Sequence, residues 1–130
     1  MNITRIHHVA ILTSNDLYDS CKNFYSSILG FKIIRETFRD HRNSYKLDLE
    51  VNGGTQIELF SFPEYKERAS YPEAKGLRHL SFEVTNIETA VEHLRSNGIE
   101  AEAIRLDELT GRRFTFFNDP NGQPLELYEI

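Results

Sequence analysis

In QIELFSF (Gln56–Phe62) a single glutamate, Glu58, interrupts an otherwise apolar, strand-like run. The interruption recurs in PLELYEI (Pro124–Ile130), where Glu126 sits between Leu125 and Leu127. Side chains of a strand alternate between its two faces, so Glu58 shares a face with Gln56 and Phe60, opposite Ile57 and Leu59. Glu126 shares a face with Tyr128, opposite the two leucines. A carboxylate placed twice where an apolar residue would pack better asks for a partner.

Working outward, both runs close a repeated pattern. Ile6–Thr13 reads as a strand, rich in β-branched residues. A helix is expected from about Asp16, its N-cap, because Leu17, Cys21, Phe24, Tyr25 and Ile28 recur at helical spacing. Gly30 supplies the left-handed residue that ends it. Strands are predicted over Phe31–Thr37, Ser44–Val51 and Thr55–Phe62, with the hairpin signal Asn52–Gly54 between the last two.

The second half repeats the order. Leu77–Val84 (LRHLSFEV) reads as a strand, and Asn86 caps a helix bearing Ile87, Ala90, Val91 and Leu94 on one face. Strands are expected over Ile99–Ile104, Arg112–Asn118 and Pro124–Glu129, the last two joined by the turn NDPNG (Asn118–Gly122). The prediction is an α+β fold: two tandem βαβββ modules, 1–62 and 77–130, forming curved mixed sheets around a central groove within one domain spanning 1–130. The proline- and charge-bearing segment 63–76 is expected to link them.

Each helix should cover one face of its sheet, leaving the other in need of a partner. Alternation puts Val9 and Ile11 under the first helix and His8 on the opposite face. Leu80, Phe82 and Val84 likewise alternate with His79, Ser81 and Glu83. Each half thus carries one groove-facing histidine on its first strand and one glutamate on its last. The separations are 50 residues from His8 to Glu58 and 47 from His79 to Glu126.

Composition narrows the functional classes. The 130 residues are enough for a sizeable core, and 15 Lys+Arg against 20 Asp+Glu offer no basic face for nucleic acid. No apolar run approaches the ~20 residues that cross a bilayer, so no membrane role is expected. The first residues, MNITRIHHVAIL, lack a signal peptide's pattern, and the one cysteine, Cys21, forms no internal disulfide; both fit a cytoplasmic location. Cys21 falls on the apolar stripe of the first helix and reads as a structural core thiol.

IHHVAIL with FYSSILGFKI, then GLRHLSFEV, then FTFFNDPNGQPLELYE resemble, over essentially the whole chain, the vicinal oxygen chelate superfamily, close to its glyoxalase-like branch. The resemblance implies a metal site of two histidines and two glutamates, here His8, Glu58, His79 and Glu126. It also implies a homodimer whose subunits complete each other's sites, or a monomer that closes its own. Two imidazoles and two carboxylates suit a divalent ion such as Ni, Zn, Mn, Co or Fe.

A metal-dependent lyase or isomerase of the glyoxalase-like class is therefore expected, polarising vicinal oxygens of a small substrate, with Glu126 or Glu58 as the base. The same fold offers rivals. They are an extradiol dioxygenase, an epimerase, a thiol transferase, and a small-molecule (drug) sequestering protein without chemistry. The fourth ligand, Glu58, argues against the dioxygenase, which needs that position open. Complete ligand positions argue against the sequestering type. Tyr45 and Arg113 are further candidates for the groove lining. His7 reads as structural or edge-exposed and His93 as part of a solvated helix, while His41, with Arg39 and Arg42, reads as part of a solvated loop in preference to a cluster that meets an anionic substrate.

Overall fold

Strand β1 (His8–Ser14) opens the first unit, Met1–Lys66, of the computed structural model, which describes residues 1–130. Helix α1 (Tyr18–Asn23) follows and widens into a π turn at Phe24–Ile28. Strands β2 (Lys32–Arg39), β3 (Ser44–Glu50) and β4 (Gln56–Phe62) complete the unit. The second unit, Glu67–Ile130, has the same order: β5 (Leu80–Val84), α2 (Ile87–Ser96), β6 (Arg105–Asp107), β7 (Arg112–Asn118) and β8 (Pro124–Glu129). The boundary between units falls inside 63–76, so most of that segment belongs to the second unit.

Each unit forms a four-stranded curved mixed sheet with the same topology, β1-β4-β3-β2 and β5-β8-β7-β6. First and last strands pair in parallel, and the other pairs are antiparallel. This register carries the site: Ala10 stands opposite Glu58, and Ser81 opposite Glu126. His8 and His79 lie two residues before Ala10 and Ser81, on the same face of the strand direction.

Burial follows the expected alternation. Leu47, Leu49, Ile57 and Leu59 are fully enclosed with Cys21, Phe24 and Tyr25 of the helical segment. In the second unit Ile87, Val91 and Leu94 of α2 are buried along with Phe117, Leu125 and Leu127. Emptying any one such leucine site to alanine costs ~2–5 kcal/mol. Cys21 is a buried thiol whose Sγ lies 3.5 Å from Thr13 Oγ1. The Asn86 cap forms as expected, its Oδ1 accepting from the Thr89 N–H at 2.8 Å.

Two local expectations are corrected. Asp16 is exposed and does not cap α1; Ser14 Oγ accepts the Leu17 N–H instead, at 3.1 Å. The second strand of the second unit is not Ile99–Ile104 but Arg105–Asp107. Before it the chain meets β7 at the Ala101–Phe117 bridge, through the Glu102 N–H to Phe116 O at 2.8 Å, and through the Thr115 hydroxyl, which donates to Glu102 O at 2.7 Å. The NDPNG turn is held by Asp119, whose buried Oδ1 accepts from Asn121 N at 2.8 Å and Gln123 N at 2.9 Å. Gly122 takes φ 81°, a left-handed conformation that a side chain would strain.

Candidate functional site

The face of each sheet away from its helix carries a matched His–Glu pair. In the first unit His8 Nε2 lies 3.6 Å from Glu58 Oε2; in the second His79 Nε2 lies 3.3 Å from Glu126 Oε2. Both pairs arise from one rule of register, a histidine two residues before the residue that faces the glutamate across a parallel pair. The second pair is the more sheltered: the His79 side chain is 25% exposed against 43% for His8.

The surroundings of the two carboxylates differ. Asp48 stands opposite Glu58 in the β3–β4 register, and Lys46 Nζ lies 3.1 Å from both Asp48 Oδ1 and Glu58 Oε1. Those carboxylates, Asp48 foremost, hold the Lys46 ammonium above its ordinary pKa. In the second unit the place of Asp48 is taken by Phe116, opposite Glu126, and the place of Lys46 by Phe114. The His79 ring meets Phe116 edge-on at 5.0 Å, and the Arg105 guanidinium lies over both phenylalanines, at 5.0 and 5.5 Å. Glu58 is thus held by an ion pair, whereas Glu126 borders an apolar shelf.

The second unit's pair opens into a cleft of about 830 Å³, within the size range of small-molecule sites. Phe114, Phe116 and Arg105 line it beside His79 and Glu126, together with the Arg68–Arg78 segment.

The divalent ion implied by the resemblance can be tested against these distances. Two donors each ~2.1 Å from a common ion, at right angles to it, stand roughly 3 Å apart. Separations of 3.3 and 3.6 Å are somewhat wider than that spacing, with nitrogen and carboxylate oxygen as the donors. Glu58 presents Oε2 to His8 while Lys46 engages Oε1. Each unit brings together two of the four expected ligands, and neither gathers three or more such groups.

Two candidates for the groove lining are corrected. Tyr45 lies on the helix side, stacked on Tyr18 with ring centroids 4.3 Å apart. Arg113 is also on that side: its Nε donates to Glu129 Oε1 at 2.8 Å and its Nη2 to Glu88 Oε2 at 3.0 Å. Alternation explains both, since Tyr45 runs with buried Leu47 and Leu49, and Arg113 with buried Thr115 and Phe117. His7 is exposed, its Nδ1 2.9 Å from His8 Nδ1, and His41 and His93 are exposed as expected. Arg39 departs from the solvated-loop reading: it lies over Phe60 at 4.9 Å and donates to Ser44 Oγ at 2.6 Å.

Lys46, Asp48, Arg68 and Arg105 are the site neighbours that the sequence left unremarked. KLDLE (Lys46–Glu50) carries a legible alternation that places Lys46 and Asp48 on one face. Arg68 sits in a stretch without periodicity, where no such signal exists.

The chain is similar, at 56% identity over 129 residues covering 99% of each chain, to the uncharacterized protein YwkD of Bacillus subtilis (strain 168). It is 52% identical over 129 residues to the uncharacterized protein YaeR of Escherichia coli (strain K12), covering 99% of this chain and 98% of that one. A solved structure of a glyoxalase family protein from Enterococcus faecalis superposes with a TM-score of 0.90 at 49% identity, over 99% of this chain and 100% of that one. With the family model matching residues 5–127 of a chain built from two such βαβββ units, the protein belongs to the Glyoxalase/Bleomycin resistance protein/Dioxygenase superfamily.

Proposed function

We propose that the protein is a metal-dependent lyase or isomerase of the glyoxalase-like class, in which His8, Glu58, His79 and Glu126 together hold one divalent ion. The observation that carries this reading is the recurrence of the same His–Glu pair, set by the same register, at 3.6 and 3.3 Å in the two units. Members of the superfamily commonly use divalent metals, bind small molecules and often act as dimers. The two pairs meet across a homodimer in our reading, or within one chain. The lone cysteine, a buried thiol, fits work in the cytoplasm.

A bound divalent ion supplies Lewis acidity, polarising neighbouring oxygens of the substrate and acidifying the adjacent C–H. The two histidines would hold the ion as its nitrogen donors, each beside the glutamate of its own unit. Glu126 is our choice of base, because Glu58 is restrained by Lys46 while Glu126 has phenylalanines at the equivalent positions. Detached from its ligand role, its carboxylate would take the proton from the substrate carbon and return it to the neighbouring atom, completing an isomerisation without net proton loss. Phe114 and Phe116 give that carboxylate an apolar border.

The test is metal content and turnover of the purified chain. We expect uptake of Ni, Zn, Mn, Co or Fe with a rise in Tm, and isomerisation of the hemithioacetal of methylglyoxal and a thiol. Glu126→Gln should keep the fold and lose turnover. A protein that takes up none of these ions, by elemental analysis and thermal shift, returns the reading to a small-molecule sequestering role. Uptake without this turnover leaves an epimerase or thiol transferase.

A further inference from the structure

The cleft of the second unit runs against the charge of the unit that contains it. Residues 67–130 include seven Lys and Arg against twelve Asp and Glu, yet four of those cations line the cleft and only three of the acids. Two of the four are spent: Arg78 pairs with Glu73 at 2.8 Å and Arg105 with Glu102 at 2.7 Å. Arg68 and Lys75 have no carboxylate partner among the ion pairs of the chain.

Arg68 is nevertheless fixed in place. Its Nη2 donates to the Arg78 carbonyl at 2.7 Å and its Nη1 to Gln123 Oε1 at 3.3 Å, tying the cleft wall to the β7–β8 turn. These bonds use two of the guanidinium's five N–H donors and leave its charge uncompensated. A planar fork held by neutral acceptors is pre-organised for an oxyanion, which it can bind through two parallel hydrogen bonds. Across the same cleft lie His79 and Glu126, with the Phe114–Phe116 shelf beside them.

We propose that the cleft selects substrates bearing an oxyanion tail, a carboxylate or a phospho group, seated on Arg68 with Lys75 beside it. The reacting oxygens are directed toward His79 and Glu126, and the body of the molecule lies on the phenylalanine shelf. This substrate class rests on the proposed function for the direction of the reacting end, but the oxyanion seat stands without it.

Two sets of probes test the seat on the full chain. The metal-free protein is titrated with malonate, phosphoglycolate and the neutral comparator glycolamide, followed by amide shifts in NMR. The nickel-loaded protein is titrated by calorimetry with three hydroxamates that share a chelating end: acetohydroxamate, succinic monohydroxamate and phosphonoacetohydroxamate. Both anionic tails should bind more tightly than their neutral counterparts, by about tenfold for a charge-assisted hydrogen-bonded contact. The stronger of the two tails identifies carboxylate or phospho chemistry.

Arg68→Gln should erase that preference and leave acetohydroxamate binding unchanged, whereas Arg68→Lys should keep part of it. If Arg68→Gln fails to fold by circular dichroism, Lys75→Gln and Arg68→Lys carry the test, each expected to weaken the anionic probes alone. Equal binding of neutral and anionic probes in the parent protein overturns the proposal. So does an anion preference that survives in folded Arg68→Gln, or in both milder variants. Failure of all hydroxamates alongside a retained malonate or phosphoglycolate preference overturns the metal reading and leaves the seat in place.

Discussion

Lys46 holds Glu58 through a 3.1 Å ion pair, and the equivalent register position in the second unit belongs to Phe114. Lys46 also neutralises Asp48, whose side chain is 6% exposed. Lys46→Met therefore leaves two neighbouring carboxylates without their shared cation, and the buried one, Asp48, keeps only the Arg35 Nε contact at 3.4 Å. The expected cost is ~2 kcal/mol of folding stability, read as a lower urea midpoint. Adding Asp48→Asn should recover part of the loss, because only one charge then remains. A double-mutant cycle measures the coupling, and additive losses would refute the shared role of Lys46.

His79→Ala removes one donor of the second pair from the edge of the cleft, where the ring is only 25% exposed and rests against Phe116. The fold should persist, since the leucine and isoleucine core lies on the other face. Divalent-ion affinity should fall by more than ~100-fold, beyond what loss of a supporting contact produces. His41→Ala, changing an exposed histidine in the short helical turn Asp40–Arg42, should leave affinity within about twofold. Calorimetric titration with nickel or zinc distinguishes the two.

Acid should weaken the second unit through Glu129 and Glu88. Glu129 accepts from the Ile87 N–H at 2.8 Å and from Arg113, and Glu88 is held by Arg113. These partners keep both carboxyls below the ordinary glutamate value of 4.5. A depressed folded-state pKa contributes stability that is complete above the unfolded value and disappears as pH falls through the folded one. Tm should therefore hold as pH falls to 4.5 and decline below it. Glu129→Gln should lower Tm at neutral pH and flatten the acid decline. An unchanged acid slope in that variant would exclude Glu129 as a source.

Asn86 caps α2 by accepting the Thr89 N–H at 2.8 Å, and Ile87, the first residue of the helix, is fully buried. Asn86→Ala should cost ~1 kcal/mol, and Asn86→Asp should restore most of it by supplying the same acceptor with a charge that suits a helix N-terminus. Chemical denaturation of the three proteins gives the comparison.

Alternation alone placed Glu58 and Glu126 on the faces away from the helices, because a period of two survives errors in strand boundaries. The contact of each glutamate with its histidine needed more, namely the parallel pairing of first and last strands that brings residues about 50 apart into register. Lys46 and Asp48 show the same divide: their common face is readable in KLDLE, but their approach to Glu58 depends on the β3–β4 register. Arg113 and Tyr45 followed the alternation of their strands to the helix side, where Glu88, Glu129 and Tyr18 meet them. Arg68 was beyond reach, since a loop wall is shaped by neighbours distant in sequence and carries no periodic signature.

The parallel pairing of first and last strands also governs when the donors meet during folding. Imidazole and carboxylate ride on opposite ends of each unit, so joining them requires closing a loop of dozens of residues, with its entropic penalty. An unfinished sheet keeps them on separate segments, so on the proposed reading an ion would be captured only once the sheet is complete. Metal loading would then discriminate finished molecules from unfinished ones.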